Sequence, residues 1–340
     1  MKYKRYHPPP VAASHSLLEQ FGIRGLTQIG RDLHTILREF NSAEGSLIDL
    51  SVVHHARPRI SIPAYMGLIP DSGVAPIMNY FDRTVDGHSW ERRVTKKLAR
   101  DWRGGQLTYD GHDGTDFACP PRMAVVAAAP GVLVAVRDTF LRGGLTACVD
   151  HGNGVITQYT HLTKMVATIG QPLQRGDVLA WSGTAGLDMV SGFPWVAPHI
   201  HFMVWINGKP VDPFRRKDEP LRRVGWLREN EPETSGPLAN DRPPLTLSDV
   251  SVNEAALEQV IAQCANAAIH AELSRAAHPA TRLAIVEDSL QHDAEAWPQG
   301  LSNIPLRLDK DDTKIKLTMP LPASEYRTAR PYDNFLSRPK

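Results

Sequence analysis

The chain has 340 residues, 42% of them hydrophobic and 22% charged, a balance typical of globular proteins with roughly two or three domains. Its 38 basic and 37 acidic residues leave a formal net charge of +1, which argues against a nucleic-acid partner and against a highly charged disordered chain. The 14 histidines stand out, because histidine is the commonest side-chain metal ligand and a frequent proton shuttle.

The N-terminal part, 1–76, is predicted to be an accessory region that is partly helical. Apolar residues recur at three- and four-residue spacings over 14–41, which is typical of an amphipathic helix. The first residues are basic but lack the apolar stretch of a secretory signal. No run approaches the about 18 consecutive apolar residues of a membrane helix, so we expect no transmembrane segment.

Residues 77–218 differ in character and are predicted to form the main domain. Short β-prone runs alternate there with Gly, Pro, Asn and Asp, a spacing that favours an antiparallel sheet or sandwich over βαβ units. Asn153 and Gly154 lie between two such runs and predict a tight hairpin turn. His151 flanks this turn, and we expect it to be structural.

The rest of the chain is predicted to be a Pro-rich linker, 219–250, followed by a helical region, 251–340. The apolar pattern predicts one helix over 252–275, capped by Asn253, and a second over about 281–296. Alternation at 306–308 and 314–319 predicts a small β-hairpin. The expected fold class is therefore mainly β, with helical N- and C-terminal accessory regions and an α+β character overall.

Two histidine motifs have the spacing of a metal site. His112 and Asp116 in GHDGTDF are four residues apart, so in an extended segment both lie on one face. Gly114 between them lets the backbone bend or approach closely. An imidazole combined with a carboxylate suits zinc. His199 and His201 in PHIHF would also share a strand face, so that one can bind metal while the other acts on substrate or water.

A third motif is YTHL, which directly follows the predicted hairpin. His161 in this motif would share a strand face with Tyr159 by the period-two alternation of a strand. Taken alone, such a histidine is more often structural. The cysteines at 119, 148 and 264 form no CxxC pair, which disfavours a thiolate zinc site and leaves a pairing of Cys119 with Cys148 open.

Together the motifs resemble peptidase family M23, the lysostaphin- and LytM-like zinc endopeptidases. The resemblance covers about 108–214 and includes the order HDGTDFA, AAPGVLVAV, DHGNGVITQYTHL, GQPLQRGDVLAWSGTAG, PHIHF and VDPF. It implies that His112, Asp116 and His201 bind one Zn²⁺ per chain, and that His161 and His199 are catalytic histidines beside it.

The resemblance also implies an activity and a location. The implied reaction is hydrolysis of amide bonds in the peptide cross-links of peptidoglycan, in the periplasm or outside the cell. Because the sequence shows no signal peptide, a cytoplasmic location stays open. The chain departs from the family pattern by an insertion over 187–197, which includes Phe193 and Trp195 and lies at the rim of the expected groove.

Two other functions were weighed against this enzyme. Some degenerate members of the family are non-catalytic regulators that bind and activate a cell-wall hydrolase, but they typically lose metal ligands, and all five positions are occupied here. A lipoyl-like carrier domain has a similar strand–Gly–strand pattern, but it needs a lysine at a hairpin tip. The predicted turn at 152–154 has none.

Overall fold

The computed structural model describes residues 2–23, 56–84, 98–139, 143–293, 296–308 and 314–333. Most of the helix predicted over 14–41 lies outside these residues. The described helices combine short N-terminal pieces with longer C-terminal ones: α1 (Pro10–Ala13), α2 (Leu17–Gln20), α3 (Pro58–Tyr65), α4 (Leu187–Gly192), α5 (Glu254–Ile261), α6 (Ala267–Arg275) and α7 (Pro279–His292). None of them has both the length and the apolar character needed to cross a membrane.

Strands dominate the described chain, which confirms the prediction of a mainly β protein. In chain order they are β1 (Tyr3–Arg5), β2 (Leu68–Pro70), β3 (Val74–Ile77), β4 (Thr115–Ala118), β5 (Ala124–Val126), β6 (Gly131–Thr139), β7 (Gly144–Asp150), β8 (Val155–Met165), β9 (Pro172–Leu173), β10 (Val178–Ser182), β11 (His199–Ile206), β12 (Lys209–Pro210), β13 (Val224–Trp226), β14 (Ile315–Leu317) and β15 (Thr328–Pro331).

An 11-stranded sheet forms the centre of the molecule. Its main path runs β15-β3-β4-β11-β8-β7-β6-β9. Three strands lie off this path: β10 pairs with β8 and with β5, and β12 pairs with β11. Neighbours on this path are antiparallel except β15 and β3, which are parallel. Two short two-stranded sheets, β1 with β2 and β13 with β14, stand outside it.

The predicted tight turn joins β7 to β8. Asn153 has a φ of 55° and Gly154 a φ of 71°, and the amide of Val155 donates to the carbonyl oxygen of Gly152 over 3.0 Å. Left-handed backbone of this kind favours Asn and Gly. A Cβ on Gly154 would lie 1.9 Å from Asn207 Oδ1, so the turn also needs glycine for space.

The central sheet separates two hydrophobic cores. Phe202 and Val204 on β11 belong to the first core, together with residues of β13, β14 and β15. Met203 and Trp205 on the same strand belong to the second core, which helices α5, α6 and α7 cover. The alternation along β11 thus gives each face of the sheet its own packing partner.

The C-terminal helices differ from the prediction at one point. The chain breaks the helix predicted over 252–275 into α5 and α6, because the Asn266 side chain accepts from the amides of Ala268 and Ile269 and so begins a new helix. The cap predicted at Asn253 is confirmed, since its side chain accepts from the Ala256 amide.

Two predictions for the C-terminal half are wrong. Within the predicted linker, Val224–Trp226 forms a strand, and Trp226 is fully buried in the first core. The predicted hairpin does not form, because Ile315–Leu317 pairs in parallel with Val224–Trp226 instead. Both errors have one cause: a partner distant in sequence, which local patterns do not reveal.

Candidate metal centre and neighbouring histidines

Strand pairing places two candidate ligands side by side. Asp116 on β4 lies directly opposite His201 on β11, and Phe117 lies opposite Ile200. Because Phe117 and Ile200 are buried in the first core, the alternation of side chains directs Asp116 and His201 to the other face of the sheet. His199, two residues before His201, emerges on that same face, as the HxH spacing predicts.

His112 reaches this face from a loop. Strand β4 begins only at Thr115, so the prediction that His112 and Asp116 share a strand face is wrong, although the two side chains do meet. His112 Nδ1 lies 2.6 Å from the carbonyl oxygen of Tyr80. A carbonyl can only accept, so Nδ1 carries the proton, and Nε2 presents its lone pair 3.2 Å from Asp116 Oδ1.

Gly114 allows the loop to pass close to the His201 ring. A Cβ at this position would lie 2.8 Å from His201 Cε1 and 2.7 Å from the carbonyl oxygen of Phe202. Real Cβ atoms do not approach other atoms so closely, so only glycine fits without a shift. The close approach predicted for Gly114 is therefore confirmed.

Asp116 lies at the centre of the cluster and is only 2% exposed. Its Oδ2 accepts from Asn79 Nδ2 over 2.6 Å, while its Oδ1 lies 2.8 Å from His201 Nδ1 and 3.6 Å from His199 Nε2. Burial opposes ionisation, but the adjacent His112 and His199 together with the hydrogen bonds hold the pKa of Asp116 well below its usual value. Asn79 was missed because it lies 37 residues away and belongs to no motif.

His201 has a carboxylate on each side of its ring. Nδ1 contacts Asp116, and Nε2 lies 3.0 Å from Asp113 Oδ1. Burial lowers the pKa of His201, but the two carboxylates outweigh it and raise that pKa to about 10. The His201 ring is therefore held between two carboxylates, an arrangement that favours positive charge at this position. Asp113 was also missed by the sequence analysis.

His161 turns toward the site because strand β8 is irregular. Between Tyr159 and Leu162 the strand contains one more residue than its partner β7, which is a β-bulge, and His161 itself has a φ of 60°. The extra residue reverses the alternation, so the prediction that His161 shares a face with Tyr159 is wrong. Instead the His161 ring lies 4.7 Å from that of His199.

The backbone orients both of these histidines in the same way. His161 Nδ1 lies 2.8 Å from the carbonyl oxygen of Ala185, and His199 Nδ1 lies 2.8 Å from that of Ala197. Each Nδ1 therefore donates, and each Nε2 is left able to accept a proton. Both rings are buried, with exposures of 3% for His161 and 5% for His199.

The cluster formed by His112, Asp116 and His201 fits a metal ion. One ligand atom from each residue lies within 4.8 Å of the other two. His112 Nε2 and His201 Nδ1 are 3.1 Å apart, and His112 Nε2 carries a lone pair. A cation between the two nitrogens would give both of them a partner. Two imidazoles and one carboxylate, with a fourth position for water, are a donor set that catalytic zinc sites use.

Other candidates are structural. His151 is buried between the carbonyl oxygen of Pro130, at 2.8 Å, and Thr157 Oγ1, at 2.7 Å, so its expected structural role agrees with its contacts. Cys119 and Cys148 are buried free thiols that form no disulfide with each other.

The inserted loop, 187–197, is held by the N-terminal region. The Phe193 ring packs edge-to-face against Phe21 at 5.3 Å and against Tyr65 at 4.9 Å. Phe193 and Trp195 nevertheless keep 49% and 54% of their surface exposed. The loop therefore presents aromatic surface immediately before the strand that carries His199.

Comparisons with known proteins give a consistent result. Residues 110–213 match the model of Peptidase family M23. The chain is 35% identical over 104 residues to Peptidoglycan DD-endopeptidase ShyA and 33% identical over 112 residues to Peptidoglycan DD-endopeptidase ShyB, both of Vibrio cholerae. These segments cover 31% and 33% of this chain but only 22% and 24% of the two relatives.

Among solved structures, the chain is similar to the catalytic domain of the antimicrobial peptidase lysostaphin from Staphylococcus simulans. The identity is 24%, the TM-score is 0.27, and the alignment covers 39% of this chain and 89% of that one.

Proposed function

From the premise that residues 110–213 are a domain of peptidase family M23, we propose that the chain is a zinc-dependent endopeptidase. Its substrate is the peptide cross-link of peptidoglycan, and it works in the periplasm or outside the cell. The observation that carries the proposal is the convergence of five side chains from three separate segments on one sheet face. These are His112, Asp116, His161, His199 and His201.

In this proposal His112 Nε2, Asp116 Oδ1 and His201 Nδ1 hold the metal. When bound, the metal supplies Lewis-acid activation of water and of the scissile carbonyl. The surrounding chain fixes the donors. Tyr80 sets the tautomer of His112, and Asn79 occupies the second oxygen of Asp116. Such supporting contacts keep ligand atoms in place without a metal-induced rearrangement.

The two remaining histidines move protons. His199 Nε2 lies 3.6 Å from Asp116 Oδ1, at the edge of the ligand cluster, and we assign it as the general base that takes a proton from the attacking water. His161 lies beside it and, in its protonated form, can donate a hydrogen bond to the developing oxyanion, while the proton taken up by His199 passes to the leaving amine. Burial of both rings limits competing water.

The substrate class rests on the two relatives named as peptidoglycan endopeptidases. The exposed aromatic residues of the inserted loop, Phe193 and Trp195, shortly precede the strand that carries His199, and we propose that they shape the groove and thereby select the cross-link. The complete set of five residues favours an enzyme over the non-catalytic regulator that binds and activates another hydrolase.

A digest of purified peptidoglycan tests the proposal. We expect soluble peptide products from the wild type, none from His201→Ala or His161→Ala, and wild-type yield from His270→Ala, which alters an exposed histidine on α6. We also expect about one zinc per chain in the wild type. Equal product from every variant would refute the mechanism, whereas peptidoglycan binding without product from the wild type would favour the regulator.

A further inference from the structure

A line of buried and partly buried polar contacts leads away from His201 on the side opposite the proposed metal. His201 Nε2 lies 3.0 Å from Asp113 Oδ1, and Asp113 Oδ2 lies 2.8 Å from His292 Nε2. His292 Nδ1 lies 3.0 Å from Asp288 Oδ1. His292 and Asp288 are one turn apart on α7, so the line connects the site to the C-terminal helical region.

Asp288, at the far end of this line, is held by side chains of the central sheet and, through one of them, by helix α6. Asp288 accepts from Gln158 Nε2 over 2.7 Å and pairs with Arg137, whose side chain is only 3% exposed. Arg137 in turn donates two 3.0 Å hydrogen bonds to Glu272 on α6. Each polar side chain along the line has a hydrogen-bond partner, which offsets the cost of burying it.

The contacts explain how the Asp113 carboxylate stays in place. Asp113 lies in the loop before β4, beside Gly114, and its own backbone is not part of the sheet. One of its oxygens faces His201 and the other faces His292, so both oxygens are used. Without His292, the second oxygen would be a partly buried acceptor with a lost partner, and the carboxylate would be free to turn.

We propose that helix α7 positions the metal ligand His201 through the His292–Asp113 contact, so that the C-terminal helical region is part of the metal site's support. The proposal rests on the proposed function, because it takes His201 as a ligand. His292 lies outside residues 110–213, which match the family model, so this support is supplied by another part of the chain. His292 is a positioning residue, since it acts through Asp113 on the orientation of the His201 ring.

Metal affinity of the full-length protein tests the proposal without relying on activity. We would measure zinc dissociation constants by competition with a chromophoric chelator for the wild type, His292→Ala, His292→Gln and Asp113→Asn. Loss of a contact that orients a ligand typically weakens metal binding by about 10- to 100-fold, and we expect that loss for His292→Ala and Asp113→Asn. The amide of His292→Gln can still donate to Asp113, so this variant should recover most of the affinity.

Gln291→Ala is the matched control, because Gln291 lies on the same helix and its Nε2 donates to the carbonyl oxygen of Gly208 over 2.7 Å, away from Asp113. We expect this variant to lower the melting temperature but to keep wild-type zinc affinity. At saturating zinc, His292→Ala should lower kcat more than it changes KM.

The possible outcomes separate this proposal from the proposed function. Wild-type zinc affinity in both His292→Ala and Asp113→Asn would overturn the positioning role. Equal weakening in Gln291→Ala and His292→Ala would overturn it too, because helix stability alone would then explain the loss. Stoichiometric zinc in His201→Ala would instead refute the assignment of the metal site itself.

Discussion

At the scale of single residues, His161 has an unusual backbone conformation for a residue other than glycine. It has a left-handed φ of 60°, and it occupies a β-bulge. Non-glycine residues in this conformation cost about 1–3 kcal/mol and persist where the surrounding structure holds them. Here the backbone of His161 is held on both sides, by Gly143 and by Gly183. The residue that bears this conformational cost is thus one whose side chain faces the proposed metal site.

The general base assigned to His199 gives a first prediction. We expect His199→Gln to lower kcat by about 10²- to 10⁴-fold, the usual contribution of a positioned general base. Zinc content should stay at the wild-type level, because His199 is not one of the three proposed ligands. Steady-state kinetics on a cross-linked peptide and metal analysis check both parts. A loss of zinc together with activity would show that His199 is a ligand.

The close approach at Gly114 gives a second prediction. Replacing Gly114 with Ala puts a Cβ 2.8 Å from the His201 ring, so either the ring or the loop has to move. We expect at least about tenfold weaker zinc binding, measured by chelator competition. Gly236→Ala is a suitable control for a loop glycine, because a Cβ there meets no atom within 4 Å and the backbone is not left-handed. Unchanged zinc affinity in Gly114→Ala would contradict the prediction.

All five proposed site residues were found in sequence because they lie in short motifs with telling spacings. The residues that support them were not found. Asn79 and His292 lie in no motif, and Asp113 lies inside GHDGTDF without a spacing that singles it out; each acquires its role only when the fold brings it to a distant side chain. The orientation of the His161 side chain could not be predicted either. A single extra residue in β8 reverses which face of the sheet the following side chains point to.

At the scale of elements, the β7–β8 hairpin is stabilised by an uncharged histidine. His151 Nδ1 donates to the carbonyl oxygen of Pro130, so the neutral ring accepts at Nε2 from Thr157 Oγ1, which lies 2.8 Å from Tyr159 Oη. Burial lowers the pKa of His151 to about 4. The folded hairpin therefore binds a proton more weakly than the unfolded chain does.

This shift predicts an acid-dependent loss of stability. Because the unfolded histidine has a pKa of about 6.5, the stability contributed by His151 is fully present above that pH and is lost as the pH falls toward 4. The wild type should lose about 3 kcal/mol more than His151→Gln between pH 7 and pH 4. Urea unfolding of both proteins across this range measures the difference. Parallel pH profiles would show that His151 is not the group responsible.

Helix ends were predictable where a side chain determines them locally. Asn253 was assigned from sequence as a cap, whereas Asn266 was overlooked inside an apparently continuous apolar pattern. Both asparagines act by accepting from amides of the next turn. An apolar stripe is compatible with one helix or with two, so periodicity alone cannot locate such a break.

At the scale of the whole molecule, the strands that carry the site depend on distant segments. The Trp226 ring lies 5.7 Å from that of Phe117 and 5.8 Å from that of Phe202. Phe117 follows Asp116, and Phe202 follows His201, so Trp226 packs beneath the two strands that present these ligands. The segment predicted to be a linker is thus part of the packing that supports the site.

A truncation tests this dependence. We expect a fragment of residues 77–218 to be unfolded or aggregated. It lacks β13, β14 and β15, which contribute to the first core, and the C-terminal helices, which cover the second core. In the full chain, Trp226→Ala should cost about 3–5 kcal/mol of unfolding free energy, as large buried aromatics do. Circular dichroism and denaturant unfolding measure both. A stable, zinc-binding 77–218 fragment would restore the domain boundaries predicted from sequence.

The parallel pairing of β3 with β15 has a consequence for the order of assembly. Val74 lies opposite Thr328, so this edge of the sheet joins residues more than two hundred positions apart. Contacts of such long range slow folding, because a large loop must close before they form. During synthesis, β3 leaves the ribosome long before β15, and His201 leaves it before His292. The edge of the sheet and the proposed support of His201 are therefore completed only after these later segments have emerged, so an activity that depends on them would arise late in folding.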